Sequence, residues 1–151
     1  MPDFSLSRSI HVDAAPERVH DLLDDLRRWQ SWSPWEGVDP ALRREYTGPE
    51  RGVGAAYAWS GNTKAGEGRM VVTESTPRSA VVDLTFVKPF RSSSTTTFTL
   101  APTGAGTDVT WTMAGRRNAA MALAGRLFFD RAIGGDFERG LAALAREAER
   151  S

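Results

Sequence analysis

The sequence predicts an α+β fold in which a curved, seven-stranded antiparallel sheet wraps around a long C-terminal helix. Seven stretches alternate apolar and polar residues with the period of two that is typical of half-buried strands. Six of them follow one another with connections of a few residues rich in glycine and proline, too short for the crossovers that parallel neighbours need. The last part of the chain instead has apolar residues at helical spacing. A chain of 151 residues is the size of one domain, which we expect to span 1–151.

The N-terminal part is predicted to form one strand and two short helices. Alternation assigns the strand to Phe4–Asp13. In the following "APERVHDLLDDL", Pro16 suits the first helical position and Glu17 suits the positive end of a helix. The next stretch, "WQSWSPWE", is not one clean helix, because Pro34 lacks an N–H group and clashes with the preceding turn. We therefore expect two short helices between the first and second strands.

The remaining strands are predicted in close succession, and a helix ends the chain. The strands are expected at Leu42–Thr47, Val53–Gly61, Gly66–Glu74, Ala80–Lys88, Ser93–Ala101 and Thr107–Ala114. The helical pattern begins at Asn118. Gly134 and Gly135 each weaken a helix by about 1 kcal/mol relative to alanine. They mark either a kink or a break at which Asp136 caps a second helix.

Alternation also assigns an apolar and a polar face to the sheet. The apolar face, expected inside, carries Tyr57, Trp59, Met70, Val72, Val82, Leu84, Phe86, Thr96, Phe98, Leu100, Val109, Trp111 and Met113. The polar face, expected in solvent, carries Glu67, Arg69, Thr73, Asp83, Thr85, Thr95, Thr97, Thr99, Asp108, Thr110 and Thr112. A sheet with one apolar face has to be covered, and the helices are the cover that this chain offers.

Three of the five tryptophans, Trp29, Trp32 and Trp35, lie within seven residues. Each tryptophan side chain buries about 150–250 Å² of surface when it leaves water. An irregular segment does not need side chains of this size, so they are expected to cover another part of the molecule. We expect them to wall a cavity between the helices and the sheet, with Trp32 and Trp35 at its mouth. Tyr57 and Trp59 are expected deeper inside, and the hydroxyl of Tyr57 is the expected polar anchor.

Composition excludes several functional classes. The 19 basic and 19 acidic residues give no net charge and form no basic stripe, so nucleic acid is not an expected partner. With no cysteine and two isolated histidines, neither a disulfide nor a metal site is expected, and no cofactor is predicted. The N-terminus has no signal-peptide pattern, and no stretch is long and apolar enough to cross a membrane. A cytoplasmic protein is therefore expected.

The chain resembles the SRPBCC superfamily over nearly its whole length. The resemblance rests on seven segments whose sequences are similar to those of the bacterial polyketide cyclase/dehydrase and lipid-transport branch. These segments are "APERVHDLL", "WQSWSPWE", "GVGAAYAWSGN", "GEGRMVV", "LTFVKPF", "TDVTWTMAG" and "IGGDFERGLAAL". The resemblance implies the helix-grip fold, with a hydrophobic cavity between the sheet and the long helix. It does not fix a reaction, because the superfamily includes carriers, cyclases and co-chaperone-like modules.

The expected function is binding of a small hydrophobic molecule that is lipid-, polyketide- or steroid-like. The predicted ligand-binding residues are Trp32, Trp35, Tyr57, Trp59, Met70, Phe86, Phe98, Trp111, Phe128 and Phe137. No catalytic residue is predicted, because His11 falls on the outer parity of the first strand and no Ser/His/Asp set converges. The alternatives are an enzyme of the polyketide cyclase/aromatase or dehydratase kind and a protein-interaction module of the co-chaperone type. A monomer or a homodimer is expected.

Overall fold

The computed structural model describes residues 3–33, 42–61, 66–88, 92–116 and 126–150. The strands are β1 (Asp3–Val12), β2 (Arg43–Thr47), β3 (Ala56–Ser60), β4 (Glu67–Thr76), β5 (Ser79–Lys88), β6 (Ser92–Thr103) and β7 (Gly106–Arg116). Between β1 and β2 lie α1 (Pro16–Asp21) and a 3₁₀ helix (Leu26–Ser31), and α2 (Arg126–Glu149) follows the sheet.

The seven strands form one sheet in the order β1-β7-β6-β5-β4-β3-β2, and every neighbouring pair is antiparallel. Strands β2 to β7 are a meander, as the short connections predict, and β1 joins the free edge of β7. The predicted α+β class, the antiparallel sheet and the two short helices between the first two strands are confirmed.

The β2–β3 connection is longer than predicted, and β3 begins at Ala56 rather than Val53. The residues before it turn tightly at Gly48, Gly52 and Gly54, which all have positive φ. A side chain at Gly48 would also run into the carbonyl oxygen of Gly54. Only glycine adopts such a turn without strain, so alternation could not mark the true start of the strand.

The inner and outer faces of the sheet are as predicted. Inner residues of β5, β6 and β7 such as Val82, Phe98 and Trp111 are buried, whereas Asp83 and Thr95 on the opposite face are exposed. β4 has register shifts between Glu67 and Gly68 and between Val72 and Glu74, but its inner residues keep their side.

Helix α2 runs without interruption from Arg126 to Glu149, which excludes a break at Gly134 and Gly135, one of the two alternatives that the sequence left open. Asp136 lies inside the helix and pairs with Arg139 one turn later instead of capping a new helix. One continuous helix is possible because packing, rather than propensity, supplies most helical stability. Phe137, Leu141 and Leu144 are buried against the sheet. The predicted start at Asn118 lies outside the described residues.

The C-terminal end of α2 is fastened to the N-terminal part of the chain. Arg18 of α1 donates hydrogen bonds to the carbonyl oxygens of Ala148 at 3.2 Å, Glu147 at 3.3 Å and Arg150 at 2.8 Å. The backbone N–H of Asp13 donates to Oε2 of Glu149 at 2.9 Å. A guanidinium at this position satisfies carbonyl groups that have no partner within the helix and offsets the negative end of the helix dipole.

Candidate ligand-binding site

Trp29 and Trp32 belong to the core of the protein. Their indole N–H groups donate to the carbonyl oxygens of Leu23 and Leu22, each at 2.9 Å. Both ring systems lie edge-on to Phe98, with centroids 5.7 and 5.8 Å away. The tryptophans therefore satisfy polar groups just beyond the end of α1 while filling the space between that helix and β6.

The expected position of Trp32 at a cavity mouth is wrong, because only 2% of Trp32 is exposed. The physical reason is its N–H group: once buried, it needs an acceptor, and the carbonyl group of Leu22 points into the same space. Trp35, the other residue predicted at the mouth, lies outside the described residues.

Trp32, Phe98, Trp111 and Phe137 form a closed aromatic cluster in the middle of the molecule, which we call the central cluster. Trp111 stacks on Phe137 of α2 with 4.0 Å between ring centroids and an interplanar angle of 8°. Trp32 meets Trp111 edge-on at 5.6 Å, and Phe98 lies 5.0 Å from Trp111. Contacts this close fill the space between the sheet and the second half of α2.

A second group of rings, the aromatic ladder, crosses the inner face from β2 to β5 and consists of Tyr46, Tyr57, Trp59 and Phe86. Tyr46 stacks on Tyr57 at 4.9 Å, Tyr57 lies 5.8 Å from Trp59, and Trp59 meets Phe86 edge-on at 5.5 Å. Tyr57 is buried, but Trp59 and Phe86 are only partly buried. The sequence-based site residues did not include Tyr46, although it shares the parity of Leu42, the apolar residue that begins the same predicted strand.

The ladder depends on a glycine in the strand between β3 and β5. Gly68 pairs with Trp59 on one side and with Phe86 on the other. A Cβ atom on Gly68 would lie 2.7 Å from Cη2 and Cζ2 of Trp59. The indole ring therefore occupies the place where a side chain of β4 would stand, and it reaches Phe86 across that strand.

Burial along the inner face divides it into a closed half and an open half. Toward the last turns of α2, inner residues such as Val12, Val82, Leu100 and Val109 are fully buried. Toward the other end, Trp59 on β3 and Phe86 on β5 are only partly buried, whereas Leu84 and Met113 in the middle of the sheet stay buried. On the edge strand β1, Leu6 and Ile10 are both partly buried. Met70 lies between the two halves and is 8% exposed. Phe128 falls in the first part of α2, whose side chains are outside the described residues.

Seven of the ten predicted site residues thus separate into two sets. The structure brings Trp32, Phe98, Trp111 and Phe137 together in the central cluster and places Tyr57, Trp59 and Phe86 in the ladder. The inner face also carries the hydroxyl-bearing residues Ser94 and Thr96, of which Thr96 is 3% exposed.

Glu67, Arg69 and Asp83, the charged residues of β4 and β5 that were predicted on the polar face, lie on the outer face. Arg69 and Asp83 are exposed, and Glu67 is partly buried. Oδ1 of Asp83 accepts a hydrogen bond of 3.4 Å from the hydroxyl of Thr95 on the next strand. A cross-strand contact of this kind on a solvated face is structural.

A Ser/His/Asp set does come together, contrary to the sequence-based expectation. Ser75 at the end of β4 places its hydroxyl 3.1 Å from Nε2 of His20 and donates to Oδ2 of Asp24 at 3.3 Å. The Nδ1 atom of His20 lies 3.8 Å from the same Oδ2, beyond hydrogen-bond distance. A catalytic triad needs a hydrogen bond from Nδ1 to the carboxylate and a serine that gives its proton to Nε2. Here the first bond is missing and the serine hydroxyl donates to the carboxylate instead, so this arrangement is not a triad.

The buried carboxylate of Asp24 instead holds the β2–β3 connection. Nη2 of Arg51 donates to Asp24 at 2.9 Å and to Asp21 at 2.6 Å. The hydrogen bond with Asp24, followed by that with Asp21, raises the pKa of Arg51 further above its ordinary value. The backbone N–H of Gly52 also donates to the carbonyl oxygen of Asp24 at 3.0 Å. This network is a structural clamp between α1 and the connection.

His11 lies on the outer side of the sheet between two carboxylates. Nδ1 is 2.7 Å from Asp108 on β7, and Nε2 is 3.2 Å from Asp13. The hydrogen bond with Asp108 raises the pKa of His11 above its ordinary value and lowers the pKa of Asp108. An imidazole can donate to both carboxylates only when it is protonated.

Other features of the described residues do not indicate a site. A depression of about 20 Å³ borders Leu26, Tyr46, Pro49 and Ala56, far below the roughly 300–1,000 Å³ of ligand pockets. Within the described ranges, no cluster of three acidic or histidine side chains is placed to hold a metal ion. No helix in those ranges is long and apolar enough to cross a membrane.

Comparison with solved structures shows the same fold in other proteins. A protein from Chromobacterium violaceum is 19% identical, with a TM-score of 0.69, 97% of this chain covered and 98% of that one. The Aha1 dimer from Colwellia psychrerythraea is 16% identical, with a TM-score of 0.60, and 89% of this chain and 90% of that one are covered. DynU16, a protein in the dynemicin biosynthetic locus, is 17% identical, with a TM-score of 0.63, 99% of this chain covered and 48% of that one.

Comparison with family models identifies the relatives by sequence. Curated proteins give no match. The model of the family described as polyketide cyclase / dehydrase and lipid transport matches residues 3–149, nearly the whole chain. That match agrees with the seven-stranded sheet, the short helices and the long C-terminal helix found here. The chain therefore belongs to the polyketide cyclase/dehydrase and lipid transport family.

Proposed function

We propose that the protein binds a small hydrophobic molecule between the open half of the inner face and the first half of α2. The contrast in burial along one apolar face is the observation that carries this proposal. Inner residues near the end of α2 are fully buried, whereas Trp59 and Phe86 remain partly exposed. Large aromatic surfaces that stay partly exposed within a concave face are typical of ligand sites.

The direction of α2 supports this location. Oε2 of Glu149 accepts a hydrogen bond from the backbone N–H of Asp13, just after β1. Oε1 of Glu138 lies 3.5 Å from Nε of Arg8, which is earlier in β1. The helix therefore follows β1 backwards, and the start of β1 pairs with the end of β7. From Glu138 back to Arg126 the helix continues for about 18 Å at 1.5 Å per residue, over the open half.

The chemistry of the open half favours an apolar ligand with few polar atoms. Its described inner residues contribute hydroxyl groups from Tyr46, Tyr57, Ser94 and Thr96 and guanidinium groups from Arg8 and Arg44, but neither a carboxylate nor an imidazole. Hydroxyl groups can orient a carbonyl or hydroxyl of a ligand, whereas general acid–base catalysis needs a group that titrates near the working pH. This set supports binding over a cyclase or dehydratase reaction.

The test is to titrate the purified protein with an apolar fluorescent probe, 1-anilinonaphthalene-8-sulfonate, and with dodecanoate as competitor. We expect saturable probe binding, displacement by dodecanoate, and weaker binding of both in Phe86→Ala. Thr97→Ala, on the outer face, is the control and should bind as the unaltered protein does. A folded protein that binds neither compound, or a Phe86→Ala variant with unchanged affinity for both, would overturn the proposal.

A further inference from the structure

We propose that Gly68 is a specificity-determining residue, because it allows Trp59 and Phe86 to form an aromatic corner that selects a flat, conjugated ring over a saturated one. This inference rests on the proposed function, since it names the part of the ligand that the open half of the cavity recognises. The corner consists of Trp59, Gly68 and Phe86.

The indole ring of Trp59 fills the space in which a side chain at position 68 would lie. A Cβ atom on Gly68 would lie 2.7 Å from two atoms of the Trp59 six-membered ring and 2.6 Å from the carbonyl oxygen of Thr85. Real Cβ atoms do not approach other atoms so closely, so any larger residue at position 68 would push the indole away from β4 and would also strain the pairing of β4 with β5 at Thr85.

The consequence is a fixed angle between two rings that come from strands separated by β4. Trp59 and Phe86 have centroids 5.5 Å apart and an interplanar angle of 86°. A planar ring placed in such a corner can stack on one ring while it presents its edge to the face of the other. A saturated ring of the same size gains burial there but lacks the π-system that these two geometries stabilise.

A purely structural role for Trp59 leaves part of the observation unexplained. Covering a strand glycine with an aromatic residue from the neighbouring strand does stabilise a sheet. That role is complete when the ring is packed over the glycine. Here both rings of the corner are also partly exposed, and both lie on the inner face in the open half.

The experiment uses two compounds of matched size, 2-naphthol and decahydro-2-naphthol, which share the hydroxyl group and the fused-ring skeleton. Calorimetric titration gives the ratio of their dissociation constants for the unaltered protein, Gly68→Ala, Trp59→Leu and the double variant. Aromatic pairing predicts a preference of about three- to tenfold for 2-naphthol in the unaltered protein. Each single variant should lose most of this preference while keeping its affinity for decahydro-2-naphthol within about twofold.

The double variant tests whether Gly68 acts through Trp59. If it does, Gly68→Ala changes the ratio in the unaltered background and leaves it unchanged in the Trp59→Leu background. A Gly68→Ala protein that folds and keeps the full preference for 2-naphthol overturns the inference. If Gly68→Ala does not fold, Trp59→Leu and Phe86→Leu decide, because a preference retained in both contradicts the corner.

The result for the unaltered protein separates the two proposals. Binding of neither naphthol, dodecanoate nor the fluorescent probe means that the proposed function itself fails. Binding of both naphthols with equal affinity leaves the proposed function standing and overturns the selectivity assigned to Gly68.

Discussion

The indole N–H of Trp32 donates to the carbonyl oxygen of Leu22 at 2.9 Å, while the indole ring lies edge-on to Trp111 with centroids 5.6 Å apart. One side chain thus satisfies a backbone group beyond the end of α1 and joins that helix to the centre of the sheet. The same residue therefore links the short helices to the core.

Trp32→Phe should destabilise the protein although it keeps most of the apolar contact. The variant leaves the carbonyl group of Leu22 without its indole donor in a buried place, at a cost of about 1–3 kcal/mol in the free energy of unfolding. Trp32→Ala should cost about 3–5 kcal/mol because it also opens a cavity. Urea denaturation followed by circular dichroism measures both, with the exposed Arg28→Ala as control. Equal stability of Trp32→Phe and the unaltered protein would contradict the role of this hydrogen bond.

Arg18→Gln should loosen the C-terminal end of α2. The change removes the positive charge and most of the donors that reach the carbonyl oxygens of Glu147, Ala148 and Arg150, for an expected loss of about 1–2 kcal/mol. Hydrogen exchange should accelerate in the last two turns of α2 more than around Phe137. Arg146→Gln changes the same charge in the same region without these bonds, so it should leave exchange there nearly unaltered.

Arg51→Ala should destabilise the protein more than loss of an ordinary surface ion pair does. Arg51 is partly exposed, but its partner Asp24 is buried and would keep an unpaired carboxylate. We expect a loss of about 1–3 kcal/mol in the free energy of unfolding. Adding Asp24→Asn should recover part of this loss, because the neutral amide no longer needs a positive partner. If the second change causes further loss of the same size, the two residues act independently.

His11 and Asp108 should make stability depend on pH in opposite directions. The pKa of His11 is raised in the folded protein, so its contribution is fully present below the unfolded value and is lost as pH rises through the folded value. The pKa of Asp108 is lowered, so its contribution is present above the unfolded value and is lost as pH falls through the folded value.

Asp108→Asn should therefore shift the midpoint of the His11 imidazole titration to lower pH, while Asp83→Asn, also exposed on the outer face, should not. Two-dimensional NMR of the imidazole carbon-bound protons measures the midpoint, and His11→Gln assigns the resonance. An unchanged midpoint in Asp108→Asn would show that the 2.7 Å contact does not govern the proton on His11.

The faces of the sheet could be predicted from the sequence because alternation is a local property. Val82, Phe98 and Trp111 lie on the predicted side, since each strand repeats its pattern over enough residues to define a parity. The position of Trp32 could not be predicted in this way. It depends on which carbonyl group beyond the end of α1 needs a donor, and that is settled only when helix and sheet meet.

The hydrogen-bond network around Asp24 was even harder to predict from the sequence, because its members are far apart along the chain. Ser75 and Arg51 are 51 and 27 residues away from Asp24 in sequence. None of the three belongs to a motif, and each is an ordinary polar residue at the edge of an element. The aromatic corner was partly predictable, because Trp59 and Phe86 have inner parity. The contact between them requires the register of β4 and the absence of a side chain at Gly68.

The fastening of α2 has a mechanical consequence. Among the described residues, its hydrogen bonds to other elements involve the three residues Glu147, Ala148 and Glu149 at its last turn. A helix of 24 residues is about 36 Å long, so a tilt of about 5° around the fastened end moves its first turn by about 3 Å. The helix can therefore tilt as a rigid rod about its C-terminal end, which Arg18 holds. A small angular change there alters the width of the space above Trp59 and Phe86 most, and it moves Phe137, about 15 Å from the fastened end, by less than half as much.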